Sequence, residues 1–212
     1  MDASDFRDAA QETFGVPLDD LVLTRQGHPV RWDDPAKQIV DPVDLFEAVR
    51  RIRRWGGHAD WTVLQHSVLC KRVATYLWPG NTQVIARAAA HDLHEAYTGD
   101  IPGPAKNHLG AFRMKEYLFE RRVAEYLGLT SPSELIKARV KACDIYALNA
   151  EARVLGMNST WVARQTLGRE VAKTNVDHAE IVMQDMRENP QEDKDLWTEL
   201  AVAVKEAQLE PN

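Results

Sequence analysis

The chain has 212 residues, 44% of them hydrophobic, enough to bury a sizeable core, and its length favours one domain spanning 1–212 over two. A formal net charge of -6 and a pI near 5.7 argue against a protein that coats a nucleic acid polymer or binds an anionic membrane, so an anionic ligand must find positive charge that is local. The acidic N-terminal residues carry no apolar segment and no run approaches the roughly 18 apolar residues of a membrane span, so a cytoplasmic protein is expected.

Residues 21–25 and 29–32 flank Gln26-Gly27-His28 and can pair as a short β-hairpin, stopped by Asp33-Asp34-Pro35. Asp41 followed by Pro42 reads as an N-cap with proline at N1, and Val43, Phe46, Val49 and Ile52 recur at helical spacing up to Gly56-Gly57. A second helix is predicted over 62–78, with Val63, Cys70, Ala74 and Leu77 near one face and Pro79-Gly80 as its stop. Asn81 caps a third, which carries Val84, Ala88, His91 and Glu95 and ends near Gly99. A charged helix over 112–127 precedes a long one over 132–155, with Ile136, Val140, Asp144, Ala147 and Glu151 down one side. Helical stretches at 177–187 and 191–208 complete an all-α chain, a compact helical bundle with its core at about 41–156 and 157–212 packing on it. Cys70 and Cys143 lie far apart without CxxC spacing, so they read as small core residues.

Ionisable side chains on apolar helix faces are costly unless they are paired or bound to metal. Three helices carry such groups here: His66 on the second, His91-Asp92 on the third and Asp144 on the long fifth. Taken singly, each has a plainer reading, a hydrogen-bonded core histidine for His66 and a partner for Lys141 in the case of Asp144. Taken together, two imidazoles and two carboxylates suit one divalent cation of the Co, Mn, Zn, Fe or Mg kind rather than a structural zinc knot. Glu95 follows His91 by four residues, the spacing that places both on one helix face.

The order His66-Ser67, His91-Asp92-Leu93-His94-Glu95, Thr98-Gly99-Asp100-Ile101-Pro102-Gly103-Pro104-Ala105-Lys106 and Lys141-Ala142-Cys143-Asp144 resembles the HD-domain phosphohydrolases. It is similar in particular to the 5'-deoxynucleotidases of bacteria and the dNTP triphosphohydrolases of phages, over roughly 31–156; residues beyond about 160 carry no motif. The resemblance implies that His66, His91, Asp92 and Asp144 hold one divalent ion, which polarises a phosphate and acidifies a water. It further implies that Glu95 is catalytic and that Asp100 lies beside the substrate, where it orients water or protonates the leaving 5' oxygen. Arg54 and Trp55 resemble the family's Arg-Trp pair, with Arg31-Trp32 as a rival, and Lys106 supplies positive charge to the phosphates.

Read alone, the basic run over 50–54 is a solvated helix face, Trp55 a core residue, Glu95 a solvated residue and Asp100 a turn former. His94 departs from the small residue commoner in the family at its position; it could contact a phosphate or assist catalysis. The expected partner is a deoxynucleotide, and the family's habit of assembly implies a homo-oligomer. A cyclic-nucleotide phosphodiesterase and a metal-stabilised interaction module without activity are the alternatives.

Overall fold

A computed structural model describes residues 11–17, 20–129, 131–158, 162 and 173–209, and the acidic N-terminal stretch read above lies outside them. Helix takes 67% and strand 2%, and among the described residues there is no sheet, an all-α fold. Helix α1 (Pro42–Val49) starts where the Asp41 side chain accepts from the Val43 and Asp44 amides, with Pro42 at N1. It stops earlier than its periodicity predicts. The chain instead turns through Trp55, Gly56 and Gly57, whose φ values of 60, 61 and 84° lie in the left-handed region that a right-handed helix cannot continue through. A bridge between Arg53 and Thr62 closes this loop, with Arg54 N donating to Trp61 O at 2.9 Å and Val63 N to Ile52 O at 3.1 Å.

Helix α2 (Val63–Leu77) opens on a capping box, Thr62 and Gln65 satisfying each other's backbone amides. Helix α3 (Thr82–Ala90) is capped by Asn81. The expected continuous run to Gly99 is broken after Ala90. Leu93 N bonds Ala90 O at 3.2 Å, Glu95 N bonds Asp92 O at 3.0 Å and Tyr97 N bonds His94 O at 3.0 Å, a three-residue spacing that tightens the chain before α4 (Glu95–Thr98). A single further turn, α5 (Gly103–Lys106), follows the Gly-Asp-Ile-Pro stretch. Helices α6 (Gly110–Tyr126), α7 (Glu134–Val154), α8 (Lys173–Glu188) and α9 (Asp193–Leu209) lie within a few residues of their predicted spans. The expected hairpin shrinks to one isolated bridge, Leu23 to Pro29, because Pro29 has no amide to extend the ladder and Asp33-Asp34-Pro35 ends the second arm.

Helix α2 packs against α3, α7, α8 and α9, so it is the axle of the bundle. Its Val63, Leu64, Val68, Leu69, Val73 and Ala74 are fully buried, and each large aliphatic side chain so placed contributes about 1.5–3 kcal/mol. Phe119 of α6 is also fully buried, 5.3 Å from Trp32 edge-on and 5.6 Å from Tyr97. Arg72 of α2 and Glu199 of α9 pair at 2.7 Å, which fixes the last helix against the axle. Within this frame α2, α7 and the turn after α3 meet side by side, and their ionisable residues meet with them. Among the described residues, no helix is long and apolar enough to cross a membrane.

Candidate metal centre

Three elements supply the centre. His66 sits one turn into α2, fully buried by the same apolar face that packs the bundle. His91 and Asp92 stand side by side in the tightened turn after α3, and Asp144 lies midway along α7. His66 Nε2 lies 3.3 Å from His91 Nε2, 3.4 Å from Asp92 Oδ2 and 3.5 Å from Asp144 Oδ1. His91 Nε2 is 3.2 Å from Asp92 Oδ2 and 4.0 Å from Asp144 Oδ1. Donors that share an ion at about 2.0–2.2 Å stand about 3–3.5 Å apart when adjacent and about 4 Å apart when opposite, so these spacings fit one small cation with His91 and Asp144 on opposite sides. Imidazole and carboxylate donors without thiolate suit Mn, Co, Fe, Zn or Mg.

The rest of each imidazole is committed in a way that leaves Nε2 pointing at the shared space. His91 Nδ1 donates to the Ala88 carbonyl at 2.8 Å, and His66 Nδ1 donates to Glu151 Oε1 at 2.5 Å. Burial would raise Asp92, Asp144 and Glu151, but their neighbours win: the His91 and His66 rings hold Asp92 well below the carboxylate range, His66 and Lys141 do so for Asp144, and Arg54 and His66 lower Glu151. Burial and the Arg54 charge press His66 towards neutrality, yet Glu151 and Asp144 outweigh them and hold its pKa well above the ordinary value. A divalent cation at His66 Nε2 would displace the second ring proton that this shift favours.

Cys70, one turn beyond His66, is a member of this cluster that sequence reading assigned to the core alone. It is fully buried as that reading expects, but its Sγ also lies 3.4 Å from His66 Nε2, and His66, Cys70 and His91 offer donor atoms all within 4.8 Å of one another. Burial pushes the thiol up to about 11, so at neutral pH it is protonated and ligates poorly beside the nitrogen and carboxylate donors. Its four-residue spacing from His66 was the available signal.

A cavity of about 540 Å³ opens beside the centre between α6 and α7. His91, Asp92, His94, Lys106 and Asp144 line it, and Lys141 lies on the same wall, pairing with Asp144 at 2.5 Å. His94 is buried, donating Nδ1 to the His91 carbonyl at 3.0 Å with Nε2 3.8 Å from Glu116. Lys106 pairs with Glu116 and lies 3.8 Å from Glu95. Glu116 of α6 was missed in the sequence because nothing in its helical stretch sets it apart from the other charges.

Arg54, Trp55, Glu95 and Asp100 are not among the residues lining that cavity. Arg54 is buried, with Nε 3.2 Å from Glu151 Oε2 and Nη1 3.3 Å from Asp92 Oδ2, and the half-buried Trp55 donates its indole N–H to Glu151 at 3.2 Å. The pair therefore braces the centre from behind. Glu95 is 2% exposed, and its Oε2 has no hydrogen-bond partner. Burial, together with the Asp92 and Asp100 charges, raises its pKa well above the carboxylate range; burial and Asp92 likewise raise half-buried Asp100. The arrangement can hold one cation, bind an anion beside it and move protons through carboxyls tuned towards neutrality. No family model matches the chain, and no curated protein matches it.

Proposed function

We propose that the protein is a divalent-metal-dependent phosphohydrolase acting on the 5' phosphate of deoxynucleotides, as a dNTP triphosphohydrolase or a 5'-deoxynucleotidase. The observation that carries this reading is the convergence of His66, His91, Asp92 and Asp144 beside a cavity with Lys106 and Lys141 on its walls. An ion held by those four residues supplies Lewis-acid polarisation of a phosphoryl oxygen and acidifies a water. Lys106 and Lys141 offset the charge that develops on the phosphoryl oxygens. With a cation at the centre to offset the Asp92 charge and lower its pKa, Glu95 would be ionised and would accept the proton of the attacking water, and Asp100, whose carboxyl burial raises, would return a proton to the leaving 5' oxygen, so that one P–O bond forms as the other breaks. We favour the triphosphate substrate, because the resemblance is to the phage branch of these enzymes and Arg113 adds a cation to the cavity wall beyond Lys106 and Lys141.

The test is incubation with dNMPs and dNTPs in the presence of Mn, Co or Mg, with products separated by anion exchange and dATP tried first. Deoxynucleoside with triphosphate supports the favoured form. Deoxynucleoside with phosphate from a dNMP alone identifies the nucleotidase. No turnover of either refutes the reading and turns attention to cyclic nucleotides.

A further inference from the structure

Glu151 is fully buried in the middle of the bundle, two turns along α7 from Asp144, and takes no part in the chemistry set out above. A buried carboxylate is costly unless its lone pairs are filled. Here four donors reach it: His66 Nδ1 at 2.5 Å and Trp61 Nε1 at 3.0 Å on one oxygen, Arg54 Nε and Trp55 Nε1 at 3.2 Å each on the other. The His66 ring is consequently held between two carboxylates of one helix, Asp144 on its Nε2 side and Glu151 on its Nδ1 side. Trp55 holds φ of 60°, an unfavourable value for a residue with a Cβ, so the loop over 53–62 needs anchors. Three of the four donors to Glu151 come from that loop.

We propose that Glu151 is the positioning residue of the metal centre, fixing His66 with Nδ1 protonated and Nε2 turned towards the cation while fastening the 53–62 loop behind Asp92. The inference rests on the metal-centre reading above and adds a residue that touches neither ion nor substrate. A carboxylate behind a ligating imidazole sets its tautomer and ring orientation, and loss of such a partner typically lowers metal affinity by about ten- to a hundredfold. Glutamine at 151 keeps the volume but offers one neutral acceptor oxygen where four donors converge, so its hold on the imidazole is weaker than that of a carboxylate.

The experiment measures zinc affinity of wild type and Glu151→Gln by competition with a chromogenic chelator, alongside long-range proton–nitrogen NMR of the histidine rings in the zinc-loaded proteins. The expected result is a zinc dissociation constant raised about ten- to a hundredfold in Glu151→Gln. Wild-type His66 should show a slowly exchanging Nδ1 proton that is lost or displaced in the variant. Should Glu151→Gln fail to fold, the wild-type spectrum decides: an unprotonated or zinc-bound Nδ1 on His66 overturns the proposal. A folded Glu151→Gln protein that binds zinc as tightly as wild type, with an unaltered His66 ring, also overturns it and leaves the phosphohydrolase reading standing. A wild-type protein that takes up neither zinc nor manganese defeats both.

Discussion

Glu95→Gln should separate stability from turnover. Glu95 is 2% exposed, its Oε2 lacks a hydrogen-bond partner, and it faces the charges of Asp92 and Asp100 with Lys106 3.8 Å away. Ionising such a carboxyl in the folded protein costs about 1.4 kcal/mol for each unit by which its pKa is raised. The amide removes the charge, and Lys106 retains Glu116 as a partner, so a gain of about 1–2 kcal/mol is expected, or a rise in Tm of about 2–8 °C for a domain of this size. The sign follows from linkage: a carboxyl raised on folding is protonated in the native state and ionised in the unfolded chain between about pH 4.3 and its folded pKa. Wild-type stability therefore falls across that window as pH rises, and the advantage of the variant is full above it and fades as pH drops towards the ordinary carboxyl value. Thermal melts of both metal-free proteins at pH 8 and pH 5 give the readout, with nucleotide turnover abolished in the variant. A variant that melts at or below wild type at pH 8, or a gap that does not narrow towards pH 5, refutes the reasoning.

Phe119→Ala removes a fully buried ring set between Trp32 and Tyr97; a loss of about 3–5 kcal/mol, or about 6–20 °C in Tm, is expected by circular dichroism. Asp144→Asn should lower divalent-metal affinity by more than about tenfold while leaving a folded protein, read by calorimetry. Because Glu151 and Asp144 raise the His66 pKa, cation uptake should release protons and weaken as pH falls; calorimetry in buffers of different ionisation enthalpy counts them. Manganese at about a hundred times its dissociation constant should stabilise wild type by about 2.7 kcal/mol, reversibly with chelator, and a melting curve that ignores the ion would count against the centre.

The helical pattern was legible wherever an apolar stripe met a cap: Asp41-Pro42, Thr62 with Gln65, and Asn81 each start a helix where the sequence marks it. It failed where backbone conformation overrode the stripe. Nothing in the periodicity of Val49 and Ile52 signals a left-handed turn at Trp55, and the tightening at 91–94 is invisible to a rule that counts residues at constant pitch. The residues that converge at the centre could be picked out because His66, His91, Asp92 and Asp144 interrupt apolar faces. Their supports could not, since Glu151 lies 85 residues from His66 and local spacing carries no trace of the contact. Arg54 and Trp55 show the opposite case, with a motif pointing to the right neighbourhood while the packing sets its two side chains behind the centre.

The centre also gathers partners from distant parts of the chain, its two histidines separated by 25 positions and His66 from Glu151 by 85. An ion there would act as a reversible cross-link across large loops, one that can form only after those loops have closed. Its stabilisation then falls mainly on the barrier to unfolding rather than on the rate of folding. The protein would persist as a kinetically trapped native state for as long as the cation stays, and chelation would serve as its release catch.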